Sequence, residues 1–180
     1  VQYAHQVPDA AQAELPYANR YVQPHERGQV ASASASFLHG VWRWRAAYSH
    51  VFDSGRFLFP RELGRDHFAT SISRSRLEGL GHAHVIMLDG TCGWSDHAFA
   101  EVQWTHVNQL EGDDLVLNKY DFEDYRQVNV RFNHRLQGFY EGLEVALLFV
   151  HKQNIEPVEP SVVFNRSNFD QINVVLNYNF

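Results

Sequence analysis

Apolar and polar residues alternate along most of this chain. In residues 170–180, Ile172, Val174, Leu176, Tyr178 and Phe180 share one parity, while Asn173, Val175, Asn177 and Asn179 take the other. Successive side chains of a β-strand point to opposite faces, so period-two alternation predicts a strand with one apolar and one polar face. The pattern recurs in residues 126–136, where Val128, Val130, Phe132, His134 and Leu136 alternate with Gln127, Asn129, Arg131, Asn133 and Arg135. Residues 98–106 set Ala98, Ala100, Val102 and Trp104 against Phe99, Glu101, Gln103 and Thr105. Residues 41–51 set Trp42, Trp44, Ala46 and Tyr48 against Arg43, Arg45, Ala47 and Ser49. Residues 30–37 alternate alanines and Phe37 with serines, and residues 143–151 carry Leu143, Val145, Leu147 and Phe149 on one face. Residues 1–7 and 82–88 also read as strands, the latter with weaker sidedness. No helical period is sustained anywhere, and about eight strands are predicted.

The predicted connections alternate in length. Short ones fall near residues 39–40, 90–96 and 137–142, and long ones near 8–28, 52–81, 108–125 and 152–169. Short turns at one end and long loops at the other characterise outer-membrane barrels. With the last strand ending on the periplasmic side, every long connection falls outside. The chain therefore reads as all-β, an antiparallel transmembrane β-barrel in a single domain spanning residues 1–180. The longest dense apolar stretch, Val145 to Val150, is far short of the roughly 18 residues of a membrane helix, but barrel strands need only alternate apolar positions. A soluble lipocalin-like barrel or a β-sandwich would alternate too. Long loops disfavour it. So do polar faces that mix Ser32, Ser34, Asn173 and Asn177 with arginines, as a wet lumen would. Trp42, Trp44, Tyr48, Trp104, Phe139, Tyr140, Tyr178 and Phe180 lie at strand ends or on apolar faces, where membrane interfaces favour aromatic rings.

Composition adds limits. The 180 residues carry a net charge of −6 without a Lys/Arg-rich run, which argues against a nucleic-acid partner. Cys92 is the lone cysteine, so no intramolecular disulfide forms. The sequence opens on Val1 in a predicted strand, with no signal peptide in view, which reads as a processed or N-terminally incomplete chain.

Two resemblances narrow the picture. The C-terminal series Ile172, Val174, Leu176, Tyr178 and Phe180 resembles the signal that outer-membrane proteins present to the barrel-assembly machinery. The stretch Phe57-Leu58-Phe59-Pro60-Arg61-Glu62-Leu63-Gly64-Arg65, followed by residues 74–81 (Arg-Ser-Arg-Leu-Glu-Gly-Leu-Gly), is similar to a stretch in OprD-type porins. That family forms outer-membrane channels for small nutrients such as amino acids and organic acids, in barrels larger than this chain can supply. The resemblance implies a bacterial outer-membrane porin with a basic ladder along its lumen. It implies passive diffusion of small hydrophilic solutes, with membrane lipid, lipopolysaccharide and the assembly machinery as partners.

The candidate pathway residues are Arg43, Arg45, Arg131 and Arg135, all on predicted lumen faces. An arginine on the lipid face would cost about 2–4 kcal/mol near the midplane. Guanidinium groups bind carboxylates in a fork, so a row of them would guide anions. Pairing with lumen acids such as Glu101 or Glu144 is the structural alternative. If residues 52–81 fold inward, Arg61, Glu62 and Arg65 are the constriction candidates; an exposed outer loop is the alternative. His82 and His84 share a strand face but lack a third ligand at convincing spacing, so no metal site is assigned. Ser49 and His50 face opposite sides, and Ser95 and His97 sit at a turn, so neither pair forms a catalytic dyad and no enzymatic activity is expected. The loop acids Glu111, Asp113, Asp114, Asp121, Glu123 and Asp124 read as a solvated patch or a cation bridge to lipopolysaccharide. No cofactor is implied. A non-conducting barrel serving as anchor or scaffold is the main alternative to a channel.

Overall fold

A computed structural model describes residues 1–7, 26–58, 66–109, 117–119, 123–157 and 168–179. Its strands are β1 (Gln2–Gln6), β2 (Gly28–His39), β3 (Trp42–Val51), β4 (Ala83–Ser95), β5 (Ala98–Asn108), β6 (Tyr125–Arg135), β7 (Leu143–Asn154) and β8 (Phe169–Tyr178). They form one antiparallel sheet in sequential order. The alternating segments became strands where the pattern placed them. A meander is the simplest solution for consecutive two-faced strands, because each neighbour in sequence presents a matching apolar face.

The short turns explain themselves locally. His39 pairs with Trp42 across a two-residue turn in which Gly40 takes φ +57°, a conformation that favours glycine. The β6–β7 connection closes with the Leu136 amide donating to the Leu143 carbonyl at 2.8 Å, around a 3₁₀ turn at Gly138–Tyr140. The connection expected at residues 90–96 is shorter than the sequence suggests. Gly90, Thr91 and Cys92 continue β4, paired with Trp44, Arg43 and Trp42, and the irregularity falls between Gly93 and Ser95. Glycine there reflects a close cross-strand approach rather than a turn.

The barrel expectation needs a correction. Among the described residues β1 pairs only with β2 and β8 only with β7, so the sheet is open and does not close into a barrel. Alternation dictates two faces and neighbouring pairs. Closure depends on strand number, tilt and stagger together.

The core lies between the sheet and the β3–β4 connection. Phe57, Leu77 and Leu80 pack with Val30, Val51, Ala83, Val85, Val107 and Tyr125. Ile72 packs with Ala47 and Met87. Backbone bonds fasten the connection to itself and to residues 117–119: Phe57 N–H to the Leu80 carbonyl at 2.9 Å, Gly81 N–H to Leu117 at 2.6 Å, and Lys119 N–H to Gly79 at 2.9 Å.

Candidate functional site

The two faces of the sheet differ in kind. One carries exposed apolar side chains from β2 to β8, among them Phe37, Trp44, Leu88, Val102, Val130, Phe149 and Ile172. The cross-strand register joins these into continuous rows: Trp44 opposite Gly90, Gly90 opposite Val102, Val102 opposite Val130, Val130 opposite Phe149, and Phe149 opposite Ile172. The proposed assembly residues Ile172, Val174, Leu176 and Tyr178 all lie exposed on this face, and Phe180 lies outside the described residues.

The apolar band has two edges. At the long-connection end the bordering residues are His50, His84, His106, Arg126, His151 and Asp170 on β3 to β8. The border slides along the strands. His50 faces His84 directly, but His106 faces Ile86, and His151 faces Val128. Two such two-residue steps over five strand intervals displace it about 13 Å along the strands over about 24 Å across them, an inclination of about 30°. The opposite edge slides the same way: Trp42 on β3, His134 on β6 and Tyr178 on β8 each lie about eight positions from the first edge at about 3.3 Å apiece.

The other face carries the buried core toward the long-connection end and is polar toward the short-turn end, where it holds all four pathway arginines. Arg43 and Arg131 approach Glu101 at 3.7 and 3.9 Å, Arg45 approaches Asp89 at 3.6 Å, and Arg135 approaches Glu144 at 3.4 Å. Asp89, its side chain fully buried, also accepts hydrogen bonds from Gln103 Nε2 (3.1 Å) and Thr91 Oγ1 (3.3 Å). Asn133 Nδ2 donates to Glu144 at 2.7 Å. Arg131 also stacks over the Phe99 ring at 5.1 Å. The arginines are thus oriented by acids while their side chains stay 30–67% exposed. The sequence pattern named Glu101 and Glu144 as partners but missed Asp89, which falls between the strand expected at 82–88 and the turn expected at 90–96.

The β3–β4 connection lies over this polar face. Ser49 Oγ sits 2.6 Å from Ser32 Oγ and 2.7 Å from Thr70 Oγ1, and the Ala69 amide donates to Ser32 Oγ. The Ser73 carbonyl accepts from Gln127 Nε2 (2.6 Å) and Asn129 Nδ2 (3.0 Å). Ser75 Oγ meets Tyr125 Oη at 2.9 Å. Asp66 accepts from the Leu77 amide at 2.8 Å and from Ser71 Oγ. Burial pushes the Asp66 carboxyl above the ordinary carboxylate range, outweighing the pull of the Leu77 and Glu78 amides and of Arg76. Between connection and sheet runs a cleft of about 580 Å³, lined by Asp66, His67, Arg74 and Arg76 on one side and Glu101 and Arg131 on the other. Arg61, Glu62 and Arg65, the constriction candidates, lie outside the described residues. Alternation put Gln127 and Asn129 on the polar face of their strand, but only tertiary contact shows that their amides bind the Ser73 carbonyl.

Ser49 faces this network while His50 lies on the opposite face, stacked on His84 with ring centroids 4.4 Å apart. Tyr48 Oη lies 2.7 Å from Nδ1 of His84. No protein-family model, curated protein or solved structure matches the chain.

Proposed function

We propose that this chain forms part of the wall of a bacterial outer-membrane channel for small hydrophilic solutes, with carboxylates and amino acids as the favoured class. One observation carries the reading: an exposed apolar band whose long-connection edge runs oblique to the hydrogen-bond ladder, with residues on β3, β6 and β8 marking the other edge about eight positions away. Strands tilted through a flat slab must carry their polar borders this way, because the slab, not the ladder, sets the level. About eight positions per strand, inclined by about 30°, give a height of about 23 Å, against about 25 Å for the apolar girdle of known barrels. A water-soluble sheet with this much exposed apolar surface would be an aggregation liability.

In this reading the polar face lines the lumen and the long connections lie outside. The β3–β4 connection narrows the passage, and solutes move along the cleft between it and β5–β6. The arginines present guanidinium groups to carboxylates while Glu101, Asp89 and Glu144 hold them in place. Arg74, Arg76 and Arg131 together with Asp66 and Glu101 offer both signs of charge, which suits a zwitterionic solute. The resemblance to OprD-type porins and the C-terminal aromatic pattern support the same assignment. A conducting pore further requires the β1 and β8 edges to be paired.

Planar-bilayer recording of the protein folded in lipid tests the reading. Stepwise conductance is expected, with Glu101→Gln raising anion over cation permeability and Arg131→Glu lowering it. Absence of conductance would remove the channel. It would favour the second reading, a non-conducting barrel that serves as anchor or scaffold. The packing of residues 66–82 on the polar face and the pairing of all four arginines support that alternative.

A further inference from the structure

The two edges of the apolar band are chemically unlike. At the short-turn end the edge is mainly aromatic: Trp42 stacks on Trp44, Trp94 on Phe132, and Tyr178 ends the row, with His39 and His134 interspersed. At the long-connection end five of the six edge positions on β3 to β8 carry a base: His50, His84, His106, Arg126 and His151. The register sets them in three facing pairs, each offset from the last by two residues. His50 is opposite His84, His106 is opposite Arg126, and His151 is opposite Asp170. Just beyond, Gln29 Nε2 bonds both Tyr3 Oη and His5 Nδ1, and His82 stands edge-on to His84 at 6.2 Å.

We infer that this row is a seat for the phosphate groups of anionic membrane lipids, one that strengthens as the histidines protonate. The inference rests on the membrane-spanning reading above. Its physical basis is position and charge. The row borders the apolar band, so it lies at the depth of lipid headgroups while the chains cover Ile86, Leu88, Trp104 and Val128. Imidazolium donates from both ring nitrogens and so binds phosphate oxygens more strongly than the neutral ring does. Two imidazolium rings stacked as closely as His50 and His84 repel each other, and a phosphate bridging them offsets that repulsion. Among the described residues the acids facing the row are few. Asp170 lies 2.6 Å from His151 Nδ1, Asp53 follows two residues after the end of β3, and Asp124 accepts from Asn108 Nδ2 and the Gln109 amide. Tyr48, His82, Asn108, Arg126 and Gln153 are polar neighbours among the described residues. Among the described residues His84 and His106 face no close carboxylate, and the Arg126 guanidinium stands at the centre of the row.

Lipid selectivity read by tryptophan quenching tests this directly. The four tryptophans, Trp42, Trp44, Trp94 and Trp104, all lie on β3 to β5 and serve as reporters. The full chain is reconstituted with brominated-chain phosphatidylcholine or brominated-chain phosphatidylglycerol at about pH 8 and about pH 5.5. Quenching by either lipid at both pH values is expected from the membrane reading alone. The seat predicts in addition that preference for phosphatidylglycerol rises by about three-fold or more on acidification. That rise is expected to vanish in the His50→Gln/His84→Gln/His106→Gln variant. It is expected to persist in His39→Gln/His134→Gln, which alters the other edge. The single variant His106→Gln, the mildest change, is expected to weaken the rise in a chain that folds like the parent. A preference equal at the two pH values, or undiminished in the triple and single variants, overturns the seat and leaves the membrane reading intact. No quenching by either lipid overturns both.

Discussion

Trp44 covers Gly90. The two residues face each other across β3 and β4, and a Cβ on the glycine would lie 2.7 Å from Cζ3 of the indole. An aromatic ring laid over a cross-strand glycine shields exposed backbone and helps to pin the register. Gly90→Ala is expected to lift the ring and to cost about 1–3 kcal/mol, the usual range for overpacking. Trp44→Leu in the same background is expected to recover most of that loss. Denaturant unfolding from lipid vesicles measures both. If Gly90→Ala unfolds at the parent's midpoint, the ring is not seated on the glycine.

The apolar face distinguishes a membrane from water through a single charge. Val130 lies mid-band between Val102 and Phe149 and is 41% exposed. Val130→Arg is expected to destabilise the bilayer-inserted protein by about 2–4 kcal/mol. In water the same exposed substitution would cost within about 0.5 kcal/mol. Stability in vesicles is the measurement, and a small effect there would count heavily against the membrane-facing assignment.

The Ser73 carbonyl is held by two sheet amides, Gln127 Nε2 and Asn129 Nδ2. Replacing both donors, as in Gln127→Leu/Asn129→Leu, leaves that carbonyl without them, a loss of about 1–3 kcal/mol. The tip of the β3–β4 connection is then expected to detach first. Faster amide exchange at residues 72–77, with exchange in β5 and β6 unchanged, is the expected signature. Larger single-channel conductance is expected with it if the connection narrows the pore. Uniform loss of protection across the sheet would instead mean that the pair supports the whole fold.

Asp66 gives the same connection a pH dependence of defined sign. Its carboxyl is raised in the folded state by burial, so folding favours the protonated form. Its contribution is fully present below the unfolded value of about 3.9 and is lost as pH rises through the raised folded value. The connection should therefore be more protected in acid than at neutral pH, through this group alone. Asp66→Asn keeps an acceptor for the Leu77 amide and removes the ionisation, so it should flatten the dependence. Protease susceptibility near residues 66–77 across that pH range reads it out, and the opposite slope in the parent protein would contradict the assignment.

The parts of this protein written in its sequence are those set by near neighbours. Alternation in residues 126–136 or 170–178 needs nothing beyond the pleat of a strand, so element type, the two faces and the sequential pairing could be read before any fold was known. The four arginines were assigned to one face for the same reason. Residues 90–95 were misread because Gly90 looks like a turn until Trp44 is placed on it from another strand. Tertiary structure alone decided the rest. It left the sheet open where alternation suggested closure, since alternation says nothing of the total stagger. It paired Arg45 with Asp89, bonded Gln127 and Asn129 to Ser73, and brought Tyr125 against Ser75, contacts between residues far apart in the chain. It also inclined the apolar band against the hydrogen-bond ladder. That inclination is a relation among strands, and no one strand contains it.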